Sequence, residues 1–585
     1  MKLLLSLLLL LVSCYGYSQL SVQGVVVDAQ TKEPLHFCNV AIITTGQGTL
    51  TNQDGAYKFT IISDKDTVLF SYLGFKDEKM PASFLFKNPN VLLERKSVAL
   101  GEITVSAGND FLYETIAQCR SKIKSLPKQA SQVYFQLETE IDKQPVEMLE
   151  CYYNGYATGG SIEKLLLKNG RIGLARSKDG GFFLSQNTSR AVCYLDLING
   201  HEFLPATVFQ FDSKKLKKLF NLNFIDETDS IMHIGFTPVR DTNKFFEGEI
   251  WLRKTTYEIE KIEMTCANAS IHPFLPLFED GIVKNITISI TEGFSTNSGN
   301  THLHYLDFGY ELTYSNGQPK ARLNNGSKID YKVSTNGLLL FYDSKKLFQL
   351  PYYKYNDEAT DYRKITSMPY NQAFWESNFS FELTERQKRS LNFFKENGAL
   401  ANYKNNQTGV KGNYNVFEDN TIRWSSETRI GFKANQLDLK LQKNIKNIQG
   451  KKLLPYEMYN LSMQIFLDVN TIDTVIIYFS QTMFDTFDSY FYLDIDAYTD
   501  CFLNIAFDLC EIERRKMERT LLSGVWSNAQ VDSIYGHTSA NLKNQTTQYF
   551  REVQVGKNRR ALSDWNNYVL QYLNIDNKKK LGLTD

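Results

Sequence analysis

The 585-residue sequence lacks a net charge, because 65 lysines and arginines balance 65 aspartates and glutamates. A balanced surface binds polyanions poorly, so we expect no nucleic-acid partner. Short catalytic motifs are also missing: there is no H-E-x-x-H, no G-x-S-x-G, no Walker loop, no dinucleotide glycine pattern and no C-x-x-C. We therefore assign no catalytic, cofactor-binding or metal-binding residue, expect no cofactor, and predict that the protein is not an enzyme.

Cysteine is scarce and scattered. Seven of the eight cysteines follow Cys14, namely Cys38, Cys119, Cys151, Cys193, Cys266, Cys501 and Cys510. An odd, widely spaced set is not typical of a disulfide framework, so most are expected to be small buried hydrophobes. On a helix, Cys501 and Cys510 would point in different directions, which predicts no bridge between them.

Long hydrophobic runs are scarce as well. The apolar run at residues 3–12 is too short to span a bilayer as a helix, but it fits the core of a secretory signal. Cleavage after Ser18 would release a soluble exported protein. The tetrapeptide ending at Cys14, Leu-Val-Ser-Cys, instead resembles a lipobox, which would place a lipid on Cys14. Either alternative predicts an exported protein without a transmembrane helix in its mature chain.

Residues 21–107 form the most informative part of the sequence. Short runs of β-branched and aromatic residues alternate there with turn residues. Residues 57–61 alternate apolar and polar side chains, which predicts one buried face. The pair Asp54-Gly55 fits a tight hairpin, because glycine accepts a positive φ. These features predict a two-sheet β-sandwich.

Four phrases in this stretch are more specific: G-x-V-x-D, P-L-x-x-x-N-V, G-T-L-T-N-Q-D-G-x-Y and V-L-F-S-Y-L-G-F. Their landmarks are Gly24, Val26, Asp28, Pro34, Leu35, Asn39, Val40, Gly48, Thr49, Thr51, Asp54, Gly55, Tyr57, Phe70, Tyr72, Gly74 and Phe75. In these residues, and in a closing strand at residues 101–107, the stretch resembles the carboxypeptidase regulatory-like domain. The resemblance implies a transthyretin-like β-sandwich without an active site, as found in envelope proteins of Gram-negative bacteria. It therefore implies a periplasmic or outer-membrane-associated location.

Residues 111–125 carry apolar side chains at helical spacing, which predicts a helix between domains. Residues 133–340 then return to strands, which predicts a large antiparallel sheet or half-barrel. The hairpin at residues 248–263, with G-E-I-W-L and T-T-Y-E-I, is similar to paired strands of LolA-like carriers. That resemblance implies an apolar concavity that could hold an acyl chain or a polymer.

Two histidines, His302 and His304, flank Leu303 and would share one face of a strand, with Glu311 further along. Two ligands do not make a metal site, so we interpret both as partly exposed strand residues.

Aromatic residues concentrate at residues 350–378, including Tyr352, Tyr353, Phe374 and Trp375. Such rings can stack on sugars, but at a domain boundary they more often bury one another.

The last third of the sequence alternates predicted strands with helices at residues 384–397, 500–522 and 564–573, around a polar linker at residues 402–415. It carries an acidic group, Asp485, Asp488, Asp494, Asp496 and Asp500. These carboxylates could bind a hard cation, although they lack the spacing of a calcium loop. The alternative is that they are solvated or cap helices.

The predicted fold is thus multi-domain and mainly β: an N-terminal transthyretin-like β-sandwich, a central large antiparallel sheet or half-barrel, and a C-terminal α+β domain. The predicted ranges are 1–18 for the signal, 19–107 for the sandwich, 108–365 for the sheet, 366–415 for a helix and linker, and 416–585 for the last domain.

The leading functional hypothesis is a non-enzymatic binding or adaptor protein of the cell envelope that holds a lipid, a glycan or an outer-membrane partner protein. The alternative is an envelope hydrolase of glycans or peptides with a carboxylate pair in the central or C-terminal domain. A third hypothesis is a structural subunit docked to a barrel partner, and an exposed edge strand of the sandwich would support it.

Overall fold

The computed structural model describes residues 20–44, 48–61, 63, 65–96, 110–176, 192–276, 280–297, 300–316, 328–343, 346–355, 359–378, 381–403, 421–427, 429–430, 458–472, 475–493 and 495–583. The leader with Cys14, the closing strand at residues 101–107, most of the linker and Asp494 lie outside these ranges. The chain forms two compact units: residues 1–165, 175–347 and 379–396 make the first, and residues 166–174, 348–378 and 397–585 make the second.

The first unit begins with the predicted β-sandwich. Its elements are β1 (Leu20–Asp28), β2 (Asn39–Ile42), β3 (Gly48–Leu50), β4 (Ala56–Ile61), β5 (Thr67–Ser71), β6 (Glu78–Pro81), α1 (Ala82–Leu85) and β7 (Val91–Leu93). One sheet has the order β4-β1-β7 and the other the order β3-β2-β5-β6. Residues 57, 59 and 61 are buried and 58 and 60 are exposed, so the predicted alternation is confirmed. Side chains from both sheets form one core that includes Val26, Val40, Tyr57 and Phe70.

The turn at Asp54-Gly55 is tight, but it does not close a hairpin. Gly55 has a φ of +70°, as predicted. However, β3 and β4 belong to different sheets, so the turn carries the chain from one sheet to the other. The hairpin prediction is therefore wrong, because local turn chemistry specifies the backbone angles and not the partner of the following strand.

A large antiparallel sheet follows. Its elements, with the helices between them, are α2 (Asp110–Lys124), β8 (Gln129–Ile141), β9 (Gln144–Thr158), β10 (Ser161–Leu174), α3 (Ser213–Leu219), β11 (Phe220–Glu227), β12 (Ile231–Pro238), β13 (Glu247–Arg253), β14 (Ile259–Cys266), β15 (Ile282–Asn297), β16 (Asn300–Ser315) and β17 (Asp330–Asp343). The strand order is β11-β12-β13-β14-β15-β16-β17-β8-β9-β10, and a short strand β18 (Ala399–Ala401) pairs with the end of β10. The predicted sheet is confirmed.

One face of this sheet is mainly apolar, with the buried carboxylate of Glu292 as an exception. Strand register places eight side chains directly opposite one another in a row, and each is at most 1% exposed; they are Ile234, Ile250, Ile262, Glu292, Leu306, Leu339, Phe135 and Cys151. Helix α2 packs against β11 and β14 and buries all four of its predicted apolar positions, Leu112, Ile116, Cys119 and Ile123. The helix prediction is confirmed, and the eight side chains of the row are covered.

The second unit combines short helices, a small sheet and a helical bundle. Its elements are α4 (Asp361–Ser367), α5 (Gln372–Ser377), β19 (Thr421–Arg423), β20 (Tyr459–Ile472), β21 (Val475–Phe491), α7 (Ala497–Leu522), α8 (Asn528–Val553), α9 (Arg559–Leu573) and α10 (Asn577–Lys580), while α6 (Glu385–Asn397) lies almost wholly in the first unit. The sheet has the order β19-β21-β20.

Helix α8 was not predicted. Its sequence is rich in Asn, Gln and Thr and buries only Val531, Thr538, Tyr549 and Val553, so the apolar stripe that reveals a helix is faint. A capping box between Ser527 and Gln530 starts it.

Candidate functional site

The face of the large sheet opposite the apolar row is polar. Because side chains alternate along a strand, the adjoining row points to this second face. That row contains Gly235, Glu249, Glu263, Thr291, Asp307, Leu338, Gln136 and Glu150, each opposite its neighbour. We call the surface built by this row and its neighbours the polar face.

The N-terminal sandwich lies on the polar face. The ring of Phe37 packs on the ring of Tyr305, with centroids 4.9 Å apart. Tyr305 lies over Gly293, where an added Cβ would come within 2.0 Å of the ring. The missing side chain at Gly293 therefore makes room for this contact.

Helix α6 and the residues before it join the sandwich to the sheet. The Nδ2 of Asn52 donates to the carbonyl oxygen of Glu382 at 3.0 Å. The backbone N–H of Glu385 donates to Oδ2 of Asp54 at 2.9 Å, so a sandwich carboxylate stabilises the start of α6. From the same helix, the hydroxyl of Ser390 donates to Glu138, and the Arg386 guanidinium lies 3.3 Å from that carboxylate.

Glu138 is a buried carboxylate on the polar face, only 4% exposed. Burial raises its pKa, and the hydrogen bond from Ser390 and the charge of Arg386 oppose this shift. Since the carboxylate is already held by the side chains around it, its role is to connect α6 to the sheet.

A cavity of about 30 Å³ remains between these layers; Phe37, Glu138, Asp307, Phe381 and Arg386 contribute to its walls. One water molecule needs about 10–15 Å³ measured in this way, so the cavity has room for two or three waters. Small-ligand sites typically measure about 300–1,000 Å³. This cavity is therefore too small for a sugar or a peptide.

Two carboxylates, Asp307 and Glu263, face Thr291 from the strands on either side of it. Burial, with a further contribution from Glu263, raises the pKa of Asp307 to about 7, and Lys261 opposes the shift. Asp307 therefore changes charge near neutral pH. It lines the small cavity, whereas the side chain of Glu263 is 44% exposed, so the pair does not share a substrate cleft.

Beyond this pair, the polar face carries a partly exposed aromatic strip. The ring of His233 stacks on Trp251, with centroids 4.2 Å apart, and the Lys261 ammonium lies 4.7 Å from the indole. The Nε2 of His233 lies 2.8 Å from Glu249, and Lys261 pairs with Glu263 at 2.5 Å. We call His233, Trp251, Lys261, Glu249 and Glu263 the tryptophan strip. Its tryptophan is a residue type enriched in protein interfaces, and its charged side chains are paired with one another.

The predicted histidine pair lies on β16. Burial and the neighbouring His302 lower the pKa of His304 to about 4, and its Nε2 has no hydrogen-bond partner. Within the described residues, no three metal-binding side chains converge. His302 and His304 by themselves are too few ligands for a metal ion. That no residue of the protein holds a metal stays a prediction.

The predicted acidic group is divided among different tasks. Asp485 and Asp488 lie 3.7 Å and 3.4 Å from the Arg363 guanidinium. Asp496 caps helix α7 in a capping box with Thr499, and Asp500 lies in the first turn of that helix. Asp496 and Asp500 thus take the predicted place at a helix N-terminus, whereas Asp485 and Asp488 form an ion pair that neither alternative predicted.

The aromatic residues pack on neighbouring side chains, and most of the cysteines are buried, as the sequence predicted for both. Tyr353 packs on Tyr355 and Phe466, with centroid distances of 4.7 Å and 6.0 Å. Trp375 lies beneath the Arg171 guanidinium at 4.4 Å. Six of the seven cysteines that the structure describes are buried.

Sequence reasoning missed the central residues of the polar face, Glu138 and Asp307. The available signal was the alternation of polar Gln136 and Glu138 with apolar Phe135 and Leu137 in β8. Alternation of this kind normally indicates a solvent-exposed face, and only the docked sandwich and α6 convert it into a buried one.

The two-sheet sandwich at the start of the chain matches a known family. Residues 22–105 form a CarboxypepD_reg-like domain. The regulatory-like domain covers a minor part of the chain, so its family does not describe the remainder. A comparison with curated proteins finds no match.

Several solved structures are weakly similar to this chain. A LolA superfamily protein from Nitrosomonas europaea is 10% identical, covers 40% of this chain and 94% of its own, and has a TM-score of 0.15. A putative outer membrane lipoprotein-sorting protein domain from Vibrio parahaemolyticus is 10% identical, with 39% and 90% coverage and a TM-score of 0.17. A chain of the Pseudomonas aeruginosa MucA/MucB complex is 8% identical, with 38% and 92% coverage and a TM-score of 0.13.

A helix that crosses a bilayer must be both long and apolar. Among the described residues, no helix combines the length and the apolar character needed to cross a membrane.

Proposed function

We propose that this protein is a non-catalytic adaptor of the cell envelope, which uses the tryptophan strip to bind a partner protein. The observation that carries the proposal is the occupied polar face. The regulatory-like domain and α6 cover part of it and leave a cavity of only about 30 Å³, while the strip beside them stays partly exposed.

A lipid is a less suitable ligand than a protein. An acyl chain needs an open apolar surface, but the apolar row of the sheet is at most 1% exposed. Strands β8 and β9 are buried at nearly every position, which means that both of their faces are covered. These observations support a macromolecular partner over the lipid alternative.

The hydrolase alternative would assign a general acid to Asp307, because its pKa of about 7 suits proton transfer at neutral pH. Its surroundings do not favour this role. The cavity next to Asp307 admits water but no glycan or peptide, and catalysis requires the reacting group to lie within hydrogen-bond reach of the acid.

The proposal includes export. Cleavage after Ser18 would place the adaptor in the periplasm, and a lipid on Cys14 would attach it to a membrane. Intact-mass spectrometry of the mature protein separates the two alternatives, since they differ in the first residue and in the mass of the acyl chains.

Partner binding is tested with substitutions in the tryptophan strip. A tagged protein is expressed in its native bacterium, the envelope is cross-linked, and co-purifying proteins are quantified by mass spectrometry. We expect one reproducible partner whose recovery falls at least tenfold in the double variant Trp251→Ala, Lys261→Glu, because interface cores centred on Trp carry a large part of the binding energy.

The matched control is Lys214→Ala, which changes an exposed lysine of α3 in the same unit. It should recover the partner as well as the natural sequence does. Equal recovery by the strip variant and the control would exclude the strip as the interface. A hydrolytic activity on envelope glycans or peptides that Asp307→Asn abolishes would overturn the adaptor proposal.

A further inference from the structure

The helical bundle of the second unit carries a groove of about 610 Å³ between α7, α8 and α9. Its volume lies within the range of about 300–1,000 Å³ that is typical of small-ligand sites. The groove shares no residue with the tryptophan strip, so a ligand bound there would be independent of the adaptor function.

Two aromatic rings form part of the wall. Trp565 and Tyr568 lie one helical turn apart on α9, with ring centroids 5.7 Å apart and an angle of 70° between the planes. The indole N–H of Trp565 donates to Oε2 of Glu552 at 2.8 Å. The Nε2 of Gln548 donates to the other oxygen of that carboxylate at 2.9 Å. Two bonds to one carboxylate hold the Trp565 ring in place before any ligand arrives.

Side-chain amides line the rest of the groove along α8. Asn541, Asn544 and Gln548 are exposed, and Gln545 lies between them. The Nε2 of Gln545 donates to the Tyr568 hydroxyl at 3.1 Å, whereas its Oε1 is buried without a hydrogen-bond partner. Whichever way this amide is turned, one of its ends lacks a partner in the wall of the groove. A ligand hydroxyl, which both donates and accepts, would satisfy it.

The charges of the groove select against anions. The hydrogen bonds from Gln548 and Trp565 lower the pKa of Glu552, so this carboxylate is ionised at neutral pH. Lys516 compensates the charge of Glu513 at 2.6 Å, which leaves Glu552 and Asp564 as an excess of negative charge. Phosphate-bearing and acidic ligands are repelled by such an excess.

We propose that this groove binds a neutral oligosaccharide of two or three sugar units. The C–H faces of pyranose rings would pack on Trp565 and Tyr568, since aromatic rings offer a large, rigid apolar surface with a polar edge. The amides of α8 and the carboxylate of Glu552 would exchange hydrogen bonds with the ring hydroxyls. A flat apolar ligand would leave these amides without partners, and a cationic peptide, which the acidic excess would attract, is the competing ligand that the test includes.

The test is saturation-transfer-difference NMR and calorimetry of the full chain with chitotriose, cellotriose and maltotriose, each measured separately. We expect at least one trisaccharide to bind with a dissociation constant below about 1 mM. The double variant Asn541→Ala, Asn544→Ala should weaken that binding at least tenfold. Both residues are exposed, so circular-dichroism melting is expected to show an intact fold.

The matched control is the double variant Lys543→Ala, Thr547→Ala, which changes residues of the same helix outside the groove. It should bind the trisaccharide as the natural sequence does. The proposal is overturned if none of the three sugars binds, if the control weakens binding as much as the groove variant, or if tetralysine binds in the groove and the sugars do not.

Discussion

At the scale of single residues, Asp307 is a carboxyl group whose protonation state changes near neutral pH. Its pKa in the folded protein is about 7, raised from 3.8 chiefly by burial. Between these values the folded protein binds more protons at this site than the unfolded chain does. The stabilising contribution is therefore complete below pH 4 and is lost as the pH rises through 7. A shift of this size corresponds to at most about 4 kcal/mol.

The variant Asp307→Asn should remove this dependence. Relative to the natural sequence, its free energy of unfolding is expected to rise between pH 5 and pH 8, measured by guanidinium titration at each pH. Asp330→Asn is a control without this dependence, because hydrogen bonds from Lys284 and Ser315 lower the pKa of Asp330 and its charge therefore stays constant between pH 5 and pH 8. Parallel pH profiles for Asp307→Asn and the natural sequence would contradict the assignment of a neutral pKa to Asp307.

At the scale of elements, the turn between β3 and β4 decides how the two sheets of the regulatory-like domain connect. Gly55 combines a φ of +70° with close packing, because an added Cβ would lie 2.6 Å from the carbonyl oxygen of Val26. Gly74 also has a positive φ, +83°, but a Cβ there would meet nothing within 4 Å. Comparing substitutions at the two glycines therefore distinguishes the cost of backbone strain from the cost of a steric contact.

Gly74→Ala should cost about 1 kcal/mol, through backbone strain alone. Gly55→Ala adds the contact with Val26 and should cost at least about 2–3 kcal/mol. Thermal unfolding of the two variants, measured side by side, checks the difference. Equal losses would mean that the chain relaxes around the new methyl group without cost.

At the scale of the whole molecule, the contact between the regulatory-like domain and the polar face organises the first unit. Phe37 makes this contact with a φ of +61°, a conformation that asparagine tolerates better than most residues. Phe37→Asn should therefore keep the backbone conformation and remove only the Phe37 ring that packs on Tyr305.

The predicted domain limits at residues 107, 365 and 415 stay predictions. The two compact units draw segments from several of the predicted ranges.

Loss of this ring pair, worth about 0.5–1.5 kcal/mol beyond its buried area, should raise amide hydrogen exchange at residues 303–309 by about 2- to 12-fold. The control Ile43→Asn changes a side chain of the same domain that is 48% exposed, and it should leave exchange at those residues unchanged. If Phe37→Asn also leaves it unchanged, the ring contact does not hold the domain on the sheet.

The sequence alone determined the features that depend on local chemistry. Alternation revealed the strands of the regulatory-like domain and of the large sheet, helical spacing revealed α2, and glycine revealed the positive φ of Gly55. Helix α8 escaped because its polar sequence buries few side chains.

Only the tertiary structure decided which polar residues are buried and which meet. Lys168 and Asp468 are 300 positions apart, yet they form a fully buried ion pair within the second unit, supported by the carbonyl oxygens of Gln349 and Val469. The burial of Glu138 and Asp307, and the meeting of α8 with α9 around Gln545 and Trp565, were equally hidden. Such contacts leave no periodic trace in a sequence, because burial and electrostatic pairing depend on distances that exist only after distant segments have packed together.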